Sequence, residues 1–577
     1  MGAPVLGLNF GTHDAAAAIV IDGAVVAAAE EERFTRIKQT KSFPTNAIAY
    51  CLGEAGLDAG DVEQAALFVD PRLQLMLPVA NLYHGFPQSL GSLVSDLDKY
   101  RRRRQAWAQI SDSDVLAARS RVVPVRHHLA HAASAYLTSP FDDAAVITID
   151  GRGEYETACI FQGQGGQLRR CHAVLYPHSI GYFYSMITRY LGFRPQRDEY
   201  KVMGLAGYGE PAYLESIRDV VAFDQDRGRL RLDLSYFDHH RRPSAKRQLF
   251  SDKLVQRFGP PRGLDEPITD RHRDIAFAAQ RHTEDLVLGY AAFARKLIPS
   301  RRLCLAGGVA LNGVANAAVI ESGLFDDVYV QPAANDAGTS LGAALVVASR
   351  ERGTDVRQPL TNAFLGPASS DEDITAAAET TQRVGCTVEH VDDPPAAAAQ
   401  LLARNLIIGW FQGRMEFGPR ALGNRSILAS PADGATATRL NALIKRRELF
   451  RPLAPAVLEE HAHDYFEIHG AGRRVYPFMV ATANVIPARR AEIPAVVHVD
   501  GSARVQTVSR QSNPSFWRLV NNFRDLTGLP VVLNTSFNDA DEPIVCTPED
   551  AVRTFLACGL DALVIGNCVI TRSVVRG

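Results

Sequence analysis

One pattern occurs twice in this chain and narrows its possible folds more than any other feature. Val5-Leu6-Gly7-Leu8-Asn9-Phe10-Gly11 reads as a buried strand entering a glycine turn, followed by His13-Asp14 and a second apolar run, Ala15 to Ile21. Asp22-Gly23 separates that run from a third, Ala24 to Ala29, and Asp-Gly between apolar runs predicts a hairpin. The same order returns from Ala145. A strand enters Asp150-Gly151-Arg152-Gly153, a second strand covers Thr157 to Phe161, Gly163 to Gly166 turns, and a third strand covers Leu168 to Val174. Two copies of one unit point to internal duplication in an α/β protein; two unrelated hairpins are the alternative. Each polar turn follows a strand, where open α/β sheets place ligands.

A chain of 577 residues has room for two or more domains. Its formal net charge of -2 provides no global basic field, so nucleic acid is not an expected partner. The local run Arg101 to Arg104 reads as a solvated helix face or a grip on an anionic substrate. No uninterrupted apolar segment reaches about 18 residues, so no membrane span is expected. The N-terminus begins on a strand-like segment without a signal-peptide pattern. The eight cysteines are scattered and form no C-x-x-C, which suits reduced thiols and a cytoplasmic location.

His127-His128-Leu129-Ala130-His131 precedes a run of good helix formers, Ala132 to Leu137. His127 and His131 are four apart, so a helix projects both imidazoles from one face, and two neutral imidazoles so placed can share a metal ion. A helix with buried, hydrogen-bonded histidines is the other reading, because the bare spacing is common. Leu303 to Asn312 reads as a strand, a Gly307-Gly308 turn and a helix, whose N-terminus would favour an anion. Asp336 falls at another strand-to-helix turn, as Asn9 and Asp150 fall at theirs; carboxylates there cap helices or bind metal. Residues 350 to 397, punctuated by prolines and rich in alanine, read as a linker with a helix or two. Beyond them, cations are dense between Arg414 and Arg451 and interleaved with glycines, which suits a phosphate ester or polyphosphate; a basic surface is the alternative. Leu529 to Asn538 reads as a buried strand ending in hydrogen-bonding side chains, and Thr547-Pro548 opens a helix.

Taken in order, these segments resemble the O-carbamoyltransferases of antibiotic biosynthesis, the group that includes the nodulation, cephem and tobramycin carbamoyltransferases. The residues carrying the resemblance are His13-Asp14-Ala15, Glu31 to Phe34, His127 to Ala135, Asp150-Gly151, Lys201 to Ala206, Ala306 to Asn312, Gly418 to Ser426, His498 to Gly501 and Asn534 to Asn538. The resemblance implies an α/β chain of two active domains. Residues 1–352 would form a duplicated actin/hexokinase-like domain, similar to the tRNA threonylcarbamoyltransferase subunit. Residues 353–397 would link it to an open twisted α/β domain, 398–577, similar to the threonylcarbamoyl-adenylate synthase.

The resemblance also implies the chemistry. Carbamoyl phosphate loses phosphate in the C-terminal domain, and the carbamate attacks the α-phosphate of ATP to give carbamoyl-adenylate. A substrate hydroxyl then takes the carbamoyl group in the N-terminal domain. His127, His131 and Asp336 match the family's metal ligands, with Asp150 as a further ligand or adenylate contact. Fe2+ is the family metal, N/N/O ligation also suits Zn2+ or Mn2+, and Mg2+ is expected on ATP. Arg420, Lys445 and Arg451 would neutralise the phosphates, with Arg504, Asn534 and Ser536 as added contacts. Gly307, Gly308 and Asn312 would cradle the adenosine, Lys38 would contact the adenylate, and His13 is the candidate base, against a structural histidine. The expected partners are carbamoyl phosphate and a small-molecule hydroxyl acceptor, with no nucleic acid and no membrane, and a homodimer is among the assemblies to test. Residues 71 to 110 would shape the acceptor pocket, and their apolar members favour an apolar acceptor face over an aminoglycoside. The competing readings are a tRNA-modifying carbamoyltransferase, a metalloprotease, which lacks the Glu of His-Glu-x-x-His, and a non-catalytic nucleotide-binding regulator.

Overall fold

The structure is a computed structural model that describes residues 3–111, 120–241, 249–352, 357–444, 448 and 450–572. Two compact units emerge: Met1–Ala27 with Lys41–Pro359, and Ala28–Thr40 with Leu360–Gly577.

The first unit is built on the repeated pattern. Its strands are β1 (Val5–Asn9), β2 (Ala16–Ile21), β3 (Ala24–Glu30), β4 (Gln64–Leu67), β5 (Arg121–Pro124), β6 (Asp143–Ile149), β7 (Glu156–Gln164), β8 (Gln167–Leu175), the hairpin β9 (Val221–Asp224) and β10 (Arg229–Leu232), β11 (Arg302–Ala306) and β12 (Asp327–Val330). One sheet has the order β3-β2-β1-β4-β5 and the other β8-β7-β6-β11-β12. The copies agree in direction as well: β1 runs antiparallel to β2 and parallel to β4, as β6 does to β7 and β11. The duplicated, mixed α/β organisation expected from the sequence is therefore present. Asp22 and Gly23 both take positive φ, 55° and 77°, the conformation that a two-residue hairpin turn demands.

Two glycines bring the helices in. A Cβ on Gly7 of β1 would collide with the Ser340 carbonyl, and one on Gly342 would collide with the Ala130 carbonyl. The helix Ala337–Arg352 thus lies hard against β1 on one side and the helix His127–Tyr136 on the other. That packing carries Asp336, just before the first helix, to the histidines at the start of the second.

The second unit holds an eight-stranded mixed sheet of order β13-β22-β21-β14-β15-β20-β16-β19. The strands are β13 (Cys386–His390), β14 (Ile408–Phe411), β15 (Arg425–Ala429), β16 (Ala454–Leu458), β17 (Ala483–Asn484), β18 (Ser502–Ala503), β19 (Gln506–Val508), β20 (Val531–Ser536), β21 (Ala562–Ile565) and β22 (Cys568–Arg572), with β17 and β18 paired apart. The helices Pro394–Ala403 and Pro514–Thr527 cover a core that includes Trp410, Phe516 and Phe523. Residues 371–390, in the stretch read as a linker, form the helix Asp371–Thr380 and edge strand β13. Thr547 caps the helix Pro548–Cys558 as its sequence predicts. No helix among the described residues is long and apolar enough to cross a membrane.

Candidate functional site

The helix His127–Tyr136 starts at its first histidine, whose backbone N–H donates to Glu154 Oε1 at 3.1 Å. The three histidines then divide by role. His128 is fixed between strands, with Nδ1 on Thr148 Oγ1 at 2.8 Å and Nε2 on the Glu156 carbonyl at 3.1 Å. His127 and His131, one turn apart, both direct Nε2 at Asp150 Oδ2, at 3.2 and 3.1 Å. Asp336 Oδ1 lies 3.8 and 3.6 Å from the same two nitrogens. The ligand atoms of these four residues all fall within 4.8 Å of one another.

The electrostatics follow from burial. Burial alone would push the Asp150 carboxyl up, but hydrogen bonds from His127 and His131 hold it well below the usual carboxylate range. Burial would likewise depress His131, yet its bonds to Asp150 and Asp336 and their charges raise it to about 9. A pair of carboxylates screened from water demands positive charge. Two imidazole nitrogens and two carboxylates at this separation fit a divalent transition-metal ion. Gly153 makes room for the imidazoles: a Cβ there would stand 3.0 Å from Cδ2 of both His127 and His128.

The first glycine turn delivers further groups. His13 Nδ1 lies 3.0 Å from Asp14 Oδ2 and 3.9 Å from Asp336 Oδ2. Burial would lower His13, but Asp336 and Asp14 raise it to about 10. Thr12 Oγ1 donates to Asp336 Oδ2 at 3.3 Å, and Asn335 Nδ2 donates to Asp14 Oδ2 at 3.0 Å. Thr12, Asn335 and Glu154 were not among the residues singled out in the sequence; only their positions at Gly turns hinted at a role.

Gly307 takes φ 92° where a Cβ would collide with the Ile149 carbonyl, and a Cβ on Gly308 would stand 3.3 Å from Asp150 Oδ1. The pair opens a helix as expected, but a short 3-10 one, Gly308–Leu311, with Gly307 as its N-cap and Gly308 as its first residue. The helix Gly313–Glu321 follows it. Asn312 is its cap: Oδ1 accepts from Ala315 N at 3.1 Å, while Nδ2 donates to Gln280 Oε1 at 2.9 Å. The amide, on a half-buried residue, thus caps the helix and binds Gln280.

In the second unit, the loop between β14 and β15 is wrapped around a carboxylate. Glu416 Oε1 accepts from the N–H groups of Leu422, Asn424 and Arg425 at 2.7, 2.9 and 3.3 Å. Two of the cations counted in this region, Arg425 and Arg414, hold backbone, as does Arg33 from an earlier segment. Arg425, fully buried, donates to the carbonyls of Gln412, Gly413, Asn424 and Pro367 and lies 3.6 Å over the Phe411 ring. Burial lowers its guanidinium to about 10. Arg414 donates to the carbonyls of Gly366 and Leu365, and Arg33 to that of Gly418. Arg420, Arg451 and Arg504 are half-buried. Asn534 and Ser536 share one face of β20, and Asn534 Nδ2 donates to the Ala421 carbonyl beside Arg420 at 3.2 Å. Lys38 groups with this second unit rather than with the histidines. Lys445 lies outside the described residues.

Two family models match, the carbamoyltransferase N-terminus over residues 4–345 and the carbamoyltransferase C-terminus over residues 399–572. The nodulation protein NolNO of Sinorhizobium fredii is 38% identical, across 97% of this chain and 79% of its own length. The nodulation protein NolO of Bradyrhizobium diazoefficiens is 40% identical, across 78% of this chain and 79% of its own. An uncharacterized protein, sll1178, of Synechocystis is 39% identical across 99% of this chain and 97% of its own. The chain belongs to the carbamoyltransferase family, and it is an enzyme that moves a carbamoyl group from a donor to an acceptor.

Proposed function

We propose that the chain is an ATP-dependent O-carbamoyltransferase that divides its reaction between two sites. The observation that supports this most is the convergence of His127, His131, Asp150 and Asp336 in one unit, while the half-buried arginines 420, 451 and 504 belong to the other.

In the C-terminal unit, carbamoyl phosphate is split by water to carbamate and phosphate. A carbamate oxygen then attacks the α-phosphorus of ATP, and the bond to the bridging oxygen breaks, releasing pyrophosphate and leaving carbamoyl-adenylate. Arg420, Arg451 and Arg504 neutralise the phosphates, with Lys445 as a fourth cation, while Asn534 and Ser536 orient the donor. Mg2+ accompanies the ATP. In the N-terminal unit, an acceptor hydroxyl attacks the carbamoyl carbon and AMP leaves. His127, His131, Asp336 and Asp150 would hold a divalent metal, Fe2+ or another, whose bound ion supplies Lewis acidity. His13, beside Asp336, is the candidate to take the hydroxyl proton, a role that needs its neutral form and therefore a cation on Asp336 to offset the carboxylates that otherwise keep it protonated. Gly307 and Gly308 let the nucleotide approach the backbone. Asn312, which caps the adjacent helix, is the third residue proposed to cradle the adenosine.

The acceptor is a natural-product hydroxyl with an apolar face, of macrolide or glycoside type. Leu75, Met76, Val79, Tyr83 and Phe86 are all exposed in one stretch, which suits such a partner. The test is pyrophosphate release from ATP, with and without carbamoyl phosphate. Release that requires carbamoyl phosphate and disappears in Arg420→Ala is expected. No release under any metal condition would overturn the adenylation step.

A further inference from the structure

Asn534 is fully buried on β20, and its amide hydrogens are taken: Nδ2 donates to the Ala421 carbonyl at 3.2 Å and to Gln506 Oε1 at 2.7 Å. Gln506, buried in β19, donates its own Nε2 to the Leu422 carbonyl at 2.8 Å. Both ends of this chain of bonds stop on backbone carbonyls, which can only accept. Its direction is therefore fixed, since turning either amide over would set oxygen against oxygen. What is left is Asn534 Oδ1, a buried acceptor with no hydrogen-bond partner among the described residues. Leaving such an oxygen without a donor costs free energy, and groups of this kind persist where function uses them. Ala421 and Leu422 directly follow Arg420, and Gln506 stands two residues beyond Arg504.

We propose that Gln506 is a positioning residue that aims Asn534 Oδ1 at the amino group of the carbamoyl donor, so that the site selects carbamoyl phosphate over acyl phosphates. The inference rests on the reading of the C-terminal unit given above. Carbamoyl and acetyl phosphate differ only in NH2 against CH3 on the carbonyl carbon. An acceptor at that position gains a donor from the first and is left unpaired against a methyl by the second. Sites built around a hydrogen bond reject the analogue lacking it far more strongly than apolar pockets reject a misfit.

Titration calorimetry of the full chain with carbamoyl phosphate and with acetyl phosphate tests this. The wild type is expected to favour carbamoyl phosphate at least about tenfold. Gln506→Met removes the acceptor that holds the Asn534 amide, and the preference should collapse through weaker carbamoyl phosphate binding, with KM for ATP unchanged. Gln506→Glu, held protonated by burial so that its hydroxyl replaces Nε2 against the Leu422 carbonyl, still accepts from Asn534 Nδ2 and should keep most of the preference. If Gln506→Met does not fold, Asn534→Asp, which opposes a carboxylate oxygen to Gln506 Oε1, should lose the preference instead. A merely structural Gln506 would weaken both ligands by one factor and leave their ratio alone, and that result overturns the proposal, as does a wild-type ratio near one. Pyrophosphate release measured alongside separates the two readings. Selective binding without release removes the adenylation step and keeps the selectivity; release with no selectivity removes only the latter.

Discussion

The two units hold their buried charge in opposite ways. In the first, two carboxylates face two imidazoles where His127, His131, Asp150 and Asp336 meet, and they draw positive charge, raising His131 to about 9. In the second, the buried Arg425 guanidinium faces carbonyl oxygens, four of them, the half-buried Arg414 holds others, and Arg33 divides between the Gly418 carbonyl and the carboxylates of Glu30 and Glu32. The first arrangement concentrates a field that calls for a cation. The second spends Arg425 and Arg414 on fixing a loop, and Arg420, Arg451 and Arg504, half-buried like Arg414, are the cations proposed for phosphate. A count of arginines in the second unit is thus a poor measure of its binding site, whereas the four donors in the first unit are nearly the whole of theirs.

That contrast can be broken in order of expected effect. Arg425→Ala should remove the buried cation and orphan its carbonyls, destabilising the second unit by about 3–5 kcal/mol, whereas Arg420→Ala should melt within a degree or so of wild type but lose activity. Thermal melts beside activity assays compare them. If both variants melt like wild type, Arg425 is not a staple. In the first unit, chelation should lower the melting temperature by several degrees, and elemental analysis should find one divalent ion per chain in wild type and none in His131→Ala. Equal metal content in the two would remove the centre.

A pH effect follows in the second unit. Burial, with Arg504 nearby, lowers His498 to about 4 despite Asp500. Between its ordinary value near 6.5 and about 4, the unfolded chain binds the proton and the folded chain does not. Stability should therefore fall as pH falls through that window, by at most about 1.4 kcal/mol per unit. Urea melts from pH 7 to 4 should show that slope in wild type and a flatter one in His498→Gln. The smallest effect on stability is expected for Asn312→Ala, which loses a helix cap worth about 1 kcal/mol and, as a residue proposed to cradle the adenosine, should raise KM for ATP. An unchanged KM would remove Asn312 from the nucleotide site.

The sequence disclosed what depends on local periodicity. The duplicated sheets follow from alternating apolar runs and glycine turns, and the placement of His127 and His131 on one face follows from their spacing. Asp150 and Asp336 could be singled out because each lies in a turn that follows a strand, Asp150 directly and Asp336 just before a helix. What stayed hidden depends on long-range partners. Nothing local distinguishes Arg425, which staples backbone, from Arg420 five residues earlier, because burial decides it. The bond between Asn312 and Gln280 could not be read locally, because Gln280 lies on a helix distant in sequence. Glu416 and Glu154 were passed over for the same reason: their work is to accept backbone N–H groups that only the folded chain presents.

The division of labour between the units is the central claim, and one measurement tests it most directly. Carbamoyl-phosphate-dependent pyrophosphate release and carbamoylation of an acceptor are followed in parallel for wild type, Arg420→Ala and His127→Ala. The account predicts that Arg420→Ala loses both, while His127→Ala still releases pyrophosphate and no longer transfers the carbamoyl group. Loss of pyrophosphate release in a folded His127→Ala, or transfer surviving in Arg420→Ala, would contradict it.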